Sequence, residues 1–242
     1  MQEPDHRVRV AAERRERMRT HLLQSALALL TTKGPEGAVI DEIVRAAEVS
    51  RGTFYKYYAS PADLVLDLAQ RLADDLIVTV NTLTTRYDDP AVRAAMGLRA
   101  ILGLVAICPR IGAFVVRAGW PLGDPSHAFF RLVGPNMADG LSQGRFRPHP
   151  PELYLSLIGG LAVGSIHAMI SAPVGPGFAE EAAEVLLCGL GIEAAEARHI
   201  AAMPMVLPEP QADTFLGRIM AGVERQAKGN KTPALAAPGA RY

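Results

Sequence analysis

The sequence predicts an all-α fold in which a small three-helix unit precedes a larger helical one. No stretch of the 242 residues alternates apolar and polar residues for long enough to indicate a β-strand. Apolar residues instead recur at helical spacing, as Leu22, Leu23, Ala26, Leu27 and Leu30 do near the start. Proline and glycine interrupt this pattern at intervals, which predicts loops between successive helices.

Start and stop signals define the first helices. The first covers about residues 11–33 and ends before a Gly-Pro pair. The second covers about 40–47 and is followed by Ser50, whose hydroxyl can cap a third helix at about 51–58. Ser60 and the proline after it then start a fourth helix. Two short helices joined by a tight turn and packed by another helix form a helix-turn-helix unit.

The rest of the chain is predicted to be helical up to a C-terminal tail of disordered composition. The fourth helix ends near residue 85, and a proline-rich link precedes a last amphipathic helix at about 211–228. Between them we expect six helices, at about residues 91–107, 109–119, 125–142, 151–171, 178–190 and 194–202. We divide the chain into a basic extension (1–16), a head (17–60), a body (61–204) and a C-terminal extension (205–242).

Net charge, cysteine spacing and the N-terminal segment argue against a strongly charged partner, a cysteine metal or redox site, and a secreted protein. The 25 Lys and Arg balance the 25 Asp and Glu, so net charge predicts no partner. Cys108 and Cys188 lack the spacing of a metal site or redox pair and are expected to be buried, reduced thiols. The N-terminus has no apolar signal segment, so we expect a cytoplasmic protein. We also expect no metal and no cofactor.

One apolar run, residues 153–172, is long enough to span a bilayer. It contains glycines, serines and His167, and no comparable second run exists in the sequence. These features favour a buried helix in a soluble core, so we expect no membrane partner.

Residues 49–60, VSRGTFYKYYAS, hold four of the fourteen aromatic residues. Phe54 and Tyr58 are four positions apart, so they share one face of a helix and are expected to pack inward. A helix that enters the DNA major groove needs an exposed arc that can pair with guanine and bind phosphate. The residues of that arc are Arg51, Gly52, Thr53, Tyr55, Lys56 and Tyr57. An ordinary solvated surface is the alternative interpretation.

The string KGPEGAVIDEIVRAAEVSRGTFYKYYASPADL, residues 33–64, resembles the DNA-binding head of tetracycline-repressor (TetR) family regulators. A glycine after the first helix, an acidic-Ile-Val run in the second, and V-S-R-G-T-F-Y-x-Y-Y carry the resemblance. It implies that the six residues of the arc face double-stranded operator DNA. It also implies an all-α body that binds a small-molecule effector and forms a homodimer.

Three residues depart from the family pattern. Val39 stands where a threonine usually caps the second helix and contacts phosphate, and Pro61 stands where a lysine commonly contacts the backbone. Pro35 replaces a frequent aromatic residue. Five arginines between Arg9 and Arg19 could supply replacement phosphate contacts, although a solvated helix face explains them as well.

The body matches the family mainly by helix count, so its effector contacts are candidates chosen by residue type. Aromatic and histidine side chains could line an apolar cavity with a few polar groups. The candidates are Phe114, Trp120, His127, Phe130, Tyr154 and His167. Plain core packing is the alternative for most of them. Five arginines against one acid between residues 91 and 135 allow an anionic effector, with surface arginines as the alternative.

Two helices of the body, 151–171 and 178–190, are the dimer candidates. Gly160, Gly164 and Ala168 recur every four residues and permit close helix approach. The same small residues could equally line a pocket or pack within one subunit.

The function predicted from these features is a ligand-responsive DNA-binding transcriptional regulator. A repressor released from its operator by a small apolar or amphipathic effector fits best. A DNA-binding architectural protein without a ligand is one alternative, and an enzyme using a cavity of the body is another. The sequence contains no nucleophile elbow, zinc H-E-x-x-H, P-loop or Rossmann motif, so we do not expect an enzyme.

Overall fold

The computed structural model describes residues 6–33, 39–118 and 128–229, and in these ranges the chain forms eleven α-helices and no strand. The all-α prediction is therefore confirmed. The helices are α1 (His6–Lys33), α2 (Ile40–Ala46), α3 (Arg51–Phe54), α4 (Pro61–Thr84), α5 (Pro90–Ile107), α6 (Pro109–Ala118), α7 (Ala128–Ser142), α8 (Pro151–Ser171), α9 (Phe178–Gly189), α10 (Ala194–Ala201) and α11 (Phe215–Gly229).

Side-chain caps explain where α3 and α4 begin. The Ser50 hydroxyl accepts the backbone N–H of Thr53 at 3.0 Å, and the Ser60 hydroxyl accepts that of Asp63 at 3.2 Å. Val39, at the start of α2, makes no side-chain cap. Helix α2 therefore begins without the hydrogen bond that a threonine there would supply.

Helix α3 is shorter than the sequence pattern predicts. Only Arg51–Phe54 is α-helical, and the chain continues to Tyr58 in turns. The amides of Lys56 and Tyr57 bond to carbonyls three residues back, at 3.2 and 2.9 Å. The last turn is thus tightened rather than extended, and it still brings Phe54 and Tyr58 into the same core.

Helix α4 joins the head to the body. Leu64 and Leu68, near its start, are fully buried in the head core beside Phe54. Further along, α4 packs against α5, α6 and α7. Helix α4 therefore contributes to one continuous hydrophobic core that includes residues of both the head and the body.

Helix α5 is the central helix of the body and packs against α4 and the helices from α6 to α10. Its Arg99 is buried, donating from Nη1 to the Met203 carbonyl at 2.6 Å and from Nη2 to Glu180 at 2.7 Å. A buried guanidinium needs such partners, because an unpaired buried charge is strongly destabilising. Arg99 thereby ties α9 and the segment just after α10 to the centre of the body.

The C-terminal extension folds back onto the rest of the chain. Leu207 packs so closely on α5 that a Cβ at Gly103 would lie 2.6 Å from its Cδ2 atom. Helix α11 then packs against α4 and α1. The Asp75 carboxylate of α4 accepts the backbone N–H of Leu216 at 3.1 Å. The last helix was predicted from its pattern, whereas its docking site on α1 and α4 was not.

Leu216→Ala should test this docking. Leu216 is fully buried, so the substitution should lower the free energy of unfolding by about 2–5 kcal/mol. Denaturant unfolding monitored by circular dichroism measures the change. The control is Val206→Ala in the same extension, because Val206 is 82% exposed. Equal stabilities of the two variants would show that α11 adds nothing to the fold.

Candidate DNA-binding surface and effector cavity

The structure separates the aromatic residues of the head into buried and exposed groups. Phe54 and Tyr58 are 0% and 5% exposed, with ring centroids 5.8 Å apart. Tyr55 is 54% exposed, and its ring meets Phe54 edge-on. The inward packing expected from the i, i+4 spacing is therefore present.

The six residues of the predicted DNA arc are not equally available. Gly52, Tyr55 and Lys56 are exposed. Tyr57 is half-buried, with the Arg15 guanidinium 6.0 Å from its ring centroid. Thr53 is also half-buried, with its hydroxyl 3.0 Å from that of Ser50. Arg51 is exposed but is bound to an acid of α2, as described below.

A charged network fixes the turn after α3 against α1 and α4. The Tyr58 hydroxyl donates to Asp67 at 2.7 Å. The same carboxylate accepts from Arg19 at 2.7 Å and from Arg71 at 3.1 Å. Arg71 also donates to Glu16 at 2.8 Å. Arg19 is thus committed to the interior network and is not available as a phosphate contact.

The network shifts the pKa values of its members. Burial raises the pKa of the Tyr58 hydroxyl above its ordinary value, and its hydrogen bond to Asp67 raises it further. For Asp67, burial alone would raise the pKa, but the donors Tyr58, Arg19 and Arg71 together hold it below the ordinary value. A carboxylate with a lowered pKa stabilises the fold above its unfolded-state pKa, and this contribution is lost as pH falls through the folded-state pKa.

Tyr55→Phe should separate DNA binding from folding. The hydroxyl is the only group lost, and the side chain is largely exposed, so thermal stability should not change measurably. If this hydroxyl bonds to a phosphate, as the family resemblance implies, its loss should weaken operator binding by about 3- to 10-fold in a mobility shift. The control Tyr87→Phe removes a hydroxyl outside the head and should leave binding unchanged. Identical affinities for both variants would remove Tyr55 from the DNA surface.

The body contains a cavity of about 300 Å³ between α4, α5, α7 and α8. Most of its wall is aliphatic, and Phe129 supplies an aromatic ring. The residues on α4 and α5 are Ala73, Leu76, Ile77, Val80, Asn81, Thr84, Arg93, Ala94, Gly97, Leu98 and Ile101. Those on α7 and α8 are Phe129, Arg131, Val133, Pro135, Asn136, Met137, Asp139, Ile158, Ala162, Val163 and Ile166. Thr85, Val115 and Leu186 complete the wall.

Polar groups of this cavity include a cluster formed by α5 and α7. Arg93 donates from Nε to Asn136 and from Nη2 to Asp139, each at 2.6 Å. The Asn136 amide in turn donates to the Pro90 carbonyl at 3.2 Å. Because Asp139 pairs with Arg93, the cluster is suited to hydrogen bonding with a neutral polar group more than to binding a lone anion.

Four of the six effector contacts chosen from the sequence lie outside the lining of this cavity. Phe114 is fully buried in α6, and Phe130 is half-buried on α7 beside the lining residue Phe129. The Tyr154 hydroxyl donates to the Arg147 carbonyl. His167 is exposed on α8. None of these four lines the cavity, and Trp120 and His127 lie outside the described residues.

Helices α8 and α9 expose several apolar and small residues in the single chain. Leu153 and Val185 are 51% and 57% exposed. Cβ atoms built at Gly160 and Gly164 meet nothing within 4 Å. Cys188 is exposed on α9, contrary to the expected buried thiol, whereas Cys108 is buried.

Among the described residues two helices, α5 and α8, are long and apolar enough to cross a membrane by length and composition, so the chain holds a second such run, which the sequence analysis did not recognise. Helix α5 is a core helix, mostly buried, whereas only 28% of the apolar window of α8 is buried. The sequence predicted a buried helix at α8. In the structure this helix is only partly buried: one face packs on the body, and the other is exposed.

Comparison with known families places both halves of the chain in one group. Residues 22–68 match the family described as "Bacterial regulatory proteins, tetR family". Residues 89–203 match the family described as "Tetracyclin repressor-like, C-terminal domain". The chain belongs to the TetR family. Membership of this family makes the protein a ligand-responsive DNA-binding regulator with an N-terminal helix-turn-helix domain. A transcription regulator of this kind is consistent with the expectation that the protein is not an enzyme.

Several solved structures are similar to this chain. RolR (NCGL1110) in complex with resorcinol is 29% identical, with a TM-score of 0.68 over 83% of this chain and 100% of that chain. RolR without ligand is 28% identical, with a TM-score of 0.62 over 78% and 98%. FadR from Bacillus subtilis in complex with stearoyl-CoA is 13% identical, with a TM-score of 0.54 over 72% and 99%, and shows the fold alone. No curated protein sequence matches the chain.

Proposed function

We propose that this TetR-family protein is a cytoplasmic homodimeric repressor that leaves its operator when a small effector fills the cavity between α4, α5, α7 and α8. The observation that carries the proposal is the double role of α4. Leu64 and Leu68 of this helix pack in the head core, and Leu76 and Val80 of the same helix line the cavity. The effector is proposed to bind more tightly when α4 is in one orientation than when it is in another. Its binding therefore shifts the orientation of the head, which moves with α4.

On the DNA side, the exposed surface around α3 is proposed to enter the major groove. Gly52 is proposed to let the backbone approach the DNA closely, and Tyr55, Lys56 and Tyr57 are proposed to bind phosphate oxygens. Thr53 and Arg51 complete the surface, with Arg51 as the residue that contacts a base.

The exposed arginines of α1 are proposed to add phosphate contacts. Arg14 and Arg17 are exposed on α1, which continues beyond the head core. Replacing both with alanine should weaken binding and lower the slope of log K against log salt by roughly one unit per lost phosphate contact. Arg86→Ala, an exposed cation after α4, is the control. A slope unchanged in the double variant would exclude these contacts.

The homodimer is proposed to form through the open face of α8 and α9. An apolar surface that includes Leu153, Gly160, Gly164 and Val185 is suited to burial against a second copy. Two copies related by a two-fold axis present two α3 surfaces, so the operator should contain two half-sites.

The effector is proposed to be a small aromatic compound with one or two hydroxyl groups. Aliphatic walls can enclose a ring, and the Arg93–Asn136–Asp139 cluster can exchange hydrogen bonds with hydroxyls. Resorcinol, the ligand of the RolR complex, has this chemistry and is the first compound to test. Isothermal titration calorimetry should show one site per chain for resorcinol and much weaker binding of benzene-1,3-dicarboxylate, since Arg93 is already paired.

The function as a whole is tested by footprinting the purified protein on DNA that flanks its own gene. The proposal predicts two protected half-sites that lose protection as resorcinol or a related phenol is added. Binding without a defined footprint, steeply salt-dependent and indifferent to every small phenol tried, would favour the architectural alternative.

A further inference from the structure

We propose that Asp41 of α2 is a positioning residue that holds Arg51 in the orientation needed to recognise a guanine, and so contributes to operator specificity. The inference rests on the proposed DNA surface and names the residue that sets its selectivity. Asp41 lies in the first turn of α2, and Arg51 is the first residue of α3.

The two side chains form a bidentate ion pair across the helix-turn-helix. Arg51 Nε donates to Asp41 Oδ1 at 2.8 Å, and Arg51 Nη2 donates to Oδ2 at 2.6 Å. A guanidinium carries five N–H groups in a fixed plane. The carboxylate therefore occupies the edge of the guanidinium formed by Nε and one hydrogen of Nη2. The end-on edge, formed by Nη1 and the second hydrogen of Nη2, is left to bind a further pair of acceptors. That edge matches the O6 and N7 acceptors of guanine.

The backbone around the pair is held in place, so the direction of this free edge is set by the fold. The Ser50 hydroxyl caps α3, and the Val49 amide bonds to the Val44 carbonyl at 3.0 Å across the turn. An arginine without Asp41 would sample many rotamers and lose that freedom on binding. With Asp41 in place, part of this ordering precedes DNA binding.

The pair is suited to specificity rather than to stability or bulk affinity. Its side chains are 62% and 49% exposed, and exposed ion pairs contribute little to folding. Asp41 also offsets the positive charge of Arg51, so the attraction of Arg51 to any phosphate is reduced. A guanidinium that is weakly attracted to phosphate but geometrically fixed favours base recognition over non-specific binding.

The test compares wild type with Asp41→Asn for binding to the operator, to operators with each half-site guanine replaced in turn, and to unrelated DNA. Wild type should discriminate against loss of one guanine by about 5- to 100-fold. In Asp41→Asn this ratio should fall to a few-fold, while unrelated DNA binds more tightly and with a steeper salt dependence. A purely structural role would instead weaken binding to all sequences alike.

Matched variants separate the possible outcomes. Glu42→Gln removes the same charge from the same turn of α2 and should keep the discrimination ratio. Arg51→Ala should lose discrimination at the same base pair as Asp41→Asn. If Asp41→Asn or Arg51→Ala kept the wild-type ratio of affinities for operators with and without the guanine, the inference would be overturned. The proposed function as a DNA-binding regulator would still stand. Failure of the wild type to bind any defined operator would instead overturn the proposed function and this inference together.

Discussion

Tyr58→Ala is expected to unfold the head and abolish operator binding. The side chain is 5% exposed, packs on Phe54, and donates to Asp67. Removing a buried aromatic ring costs about 3–5 kcal/mol, and loss of a hydrogen bond to a charged group adds about 1.5–3 kcal/mol. Because whole domains are stable by only about 5–15 kcal/mol, the small head cannot absorb this loss.

Tyr58→Phe is the matched control for this substitution. It keeps the ring and removes only the hydroxyl, and Asp67 keeps its bonds to Arg19 and Arg71. The expected cost is about 1–3 kcal/mol with DNA binding retained. Circular dichroism during denaturant unfolding, together with a mobility shift, measures both variants. Native operator affinity in Tyr58→Ala would show that the ring does not hold α3 in place.

Filling the cavity with Ala94→Phe is expected to give a protein that binds its operator but no longer responds to effector. Ala94 lies on α5 and lines the cavity, so the added phenyl ring occupies the volume of one small aromatic ligand. Effector affinity should fall by more than about 100-fold, because overlapping atoms cannot be accommodated in a close-packed interior. Operator affinity without effector should stay within a few-fold of wild type.

Ala106→Phe is the control for the filled cavity. It adds the same ring to the same helix at an exposed position outside the cavity lining. Calorimetry with resorcinol and release of a labelled operator measure the two variants side by side. Undiminished effector binding by Ala94→Phe would place the effector site elsewhere in the chain.

Features of the fold that depend on neighbouring residues were predictable from the sequence. Ser50 and Ser60 start helices because their hydroxyls reach amides three residues ahead. The i, i+4 spacing of Phe54 and Tyr58 predicted which rings pack inward. The tightened end of α3 was missed, because apolar spacing alone does not distinguish an α-helical turn from one closed by i, i+3 bonds.

Features that depend on packing between distant helices were not predictable in the same way. The bond from Arg93 to Asp139 joins residues 46 positions apart. The sequence search for an effector site favoured rare aromatic and histidine residues, such as Tyr154 and His167, whereas most of the wall of the cavity proposed here as the effector site is made of ordinary aliphatic side chains. Their periodicity marks them as core, and only the relative positions of four helices leave space between them.

The pairing of Arg51 with another side chain could also be seen only in the structure. Its type and place predicted a DNA contact, but the sequence did not indicate that Asp41, ten positions earlier, binds it. The pair depends on the angle between α2 and α3, which the turn at Val49 sets.

The most direct test of the central claim, that one helix couples the effector cavity to the DNA surface, is a reciprocal titration. Operator affinity is measured with and without saturating effector, and effector affinity is measured with and without operator. Linkage requires the two ratios to be equal, and we predict that each ligand weakens the other by the same factor, about 5- to 150-fold. An operator affinity unchanged by an effector that demonstrably occupies the cavity would contradict the account.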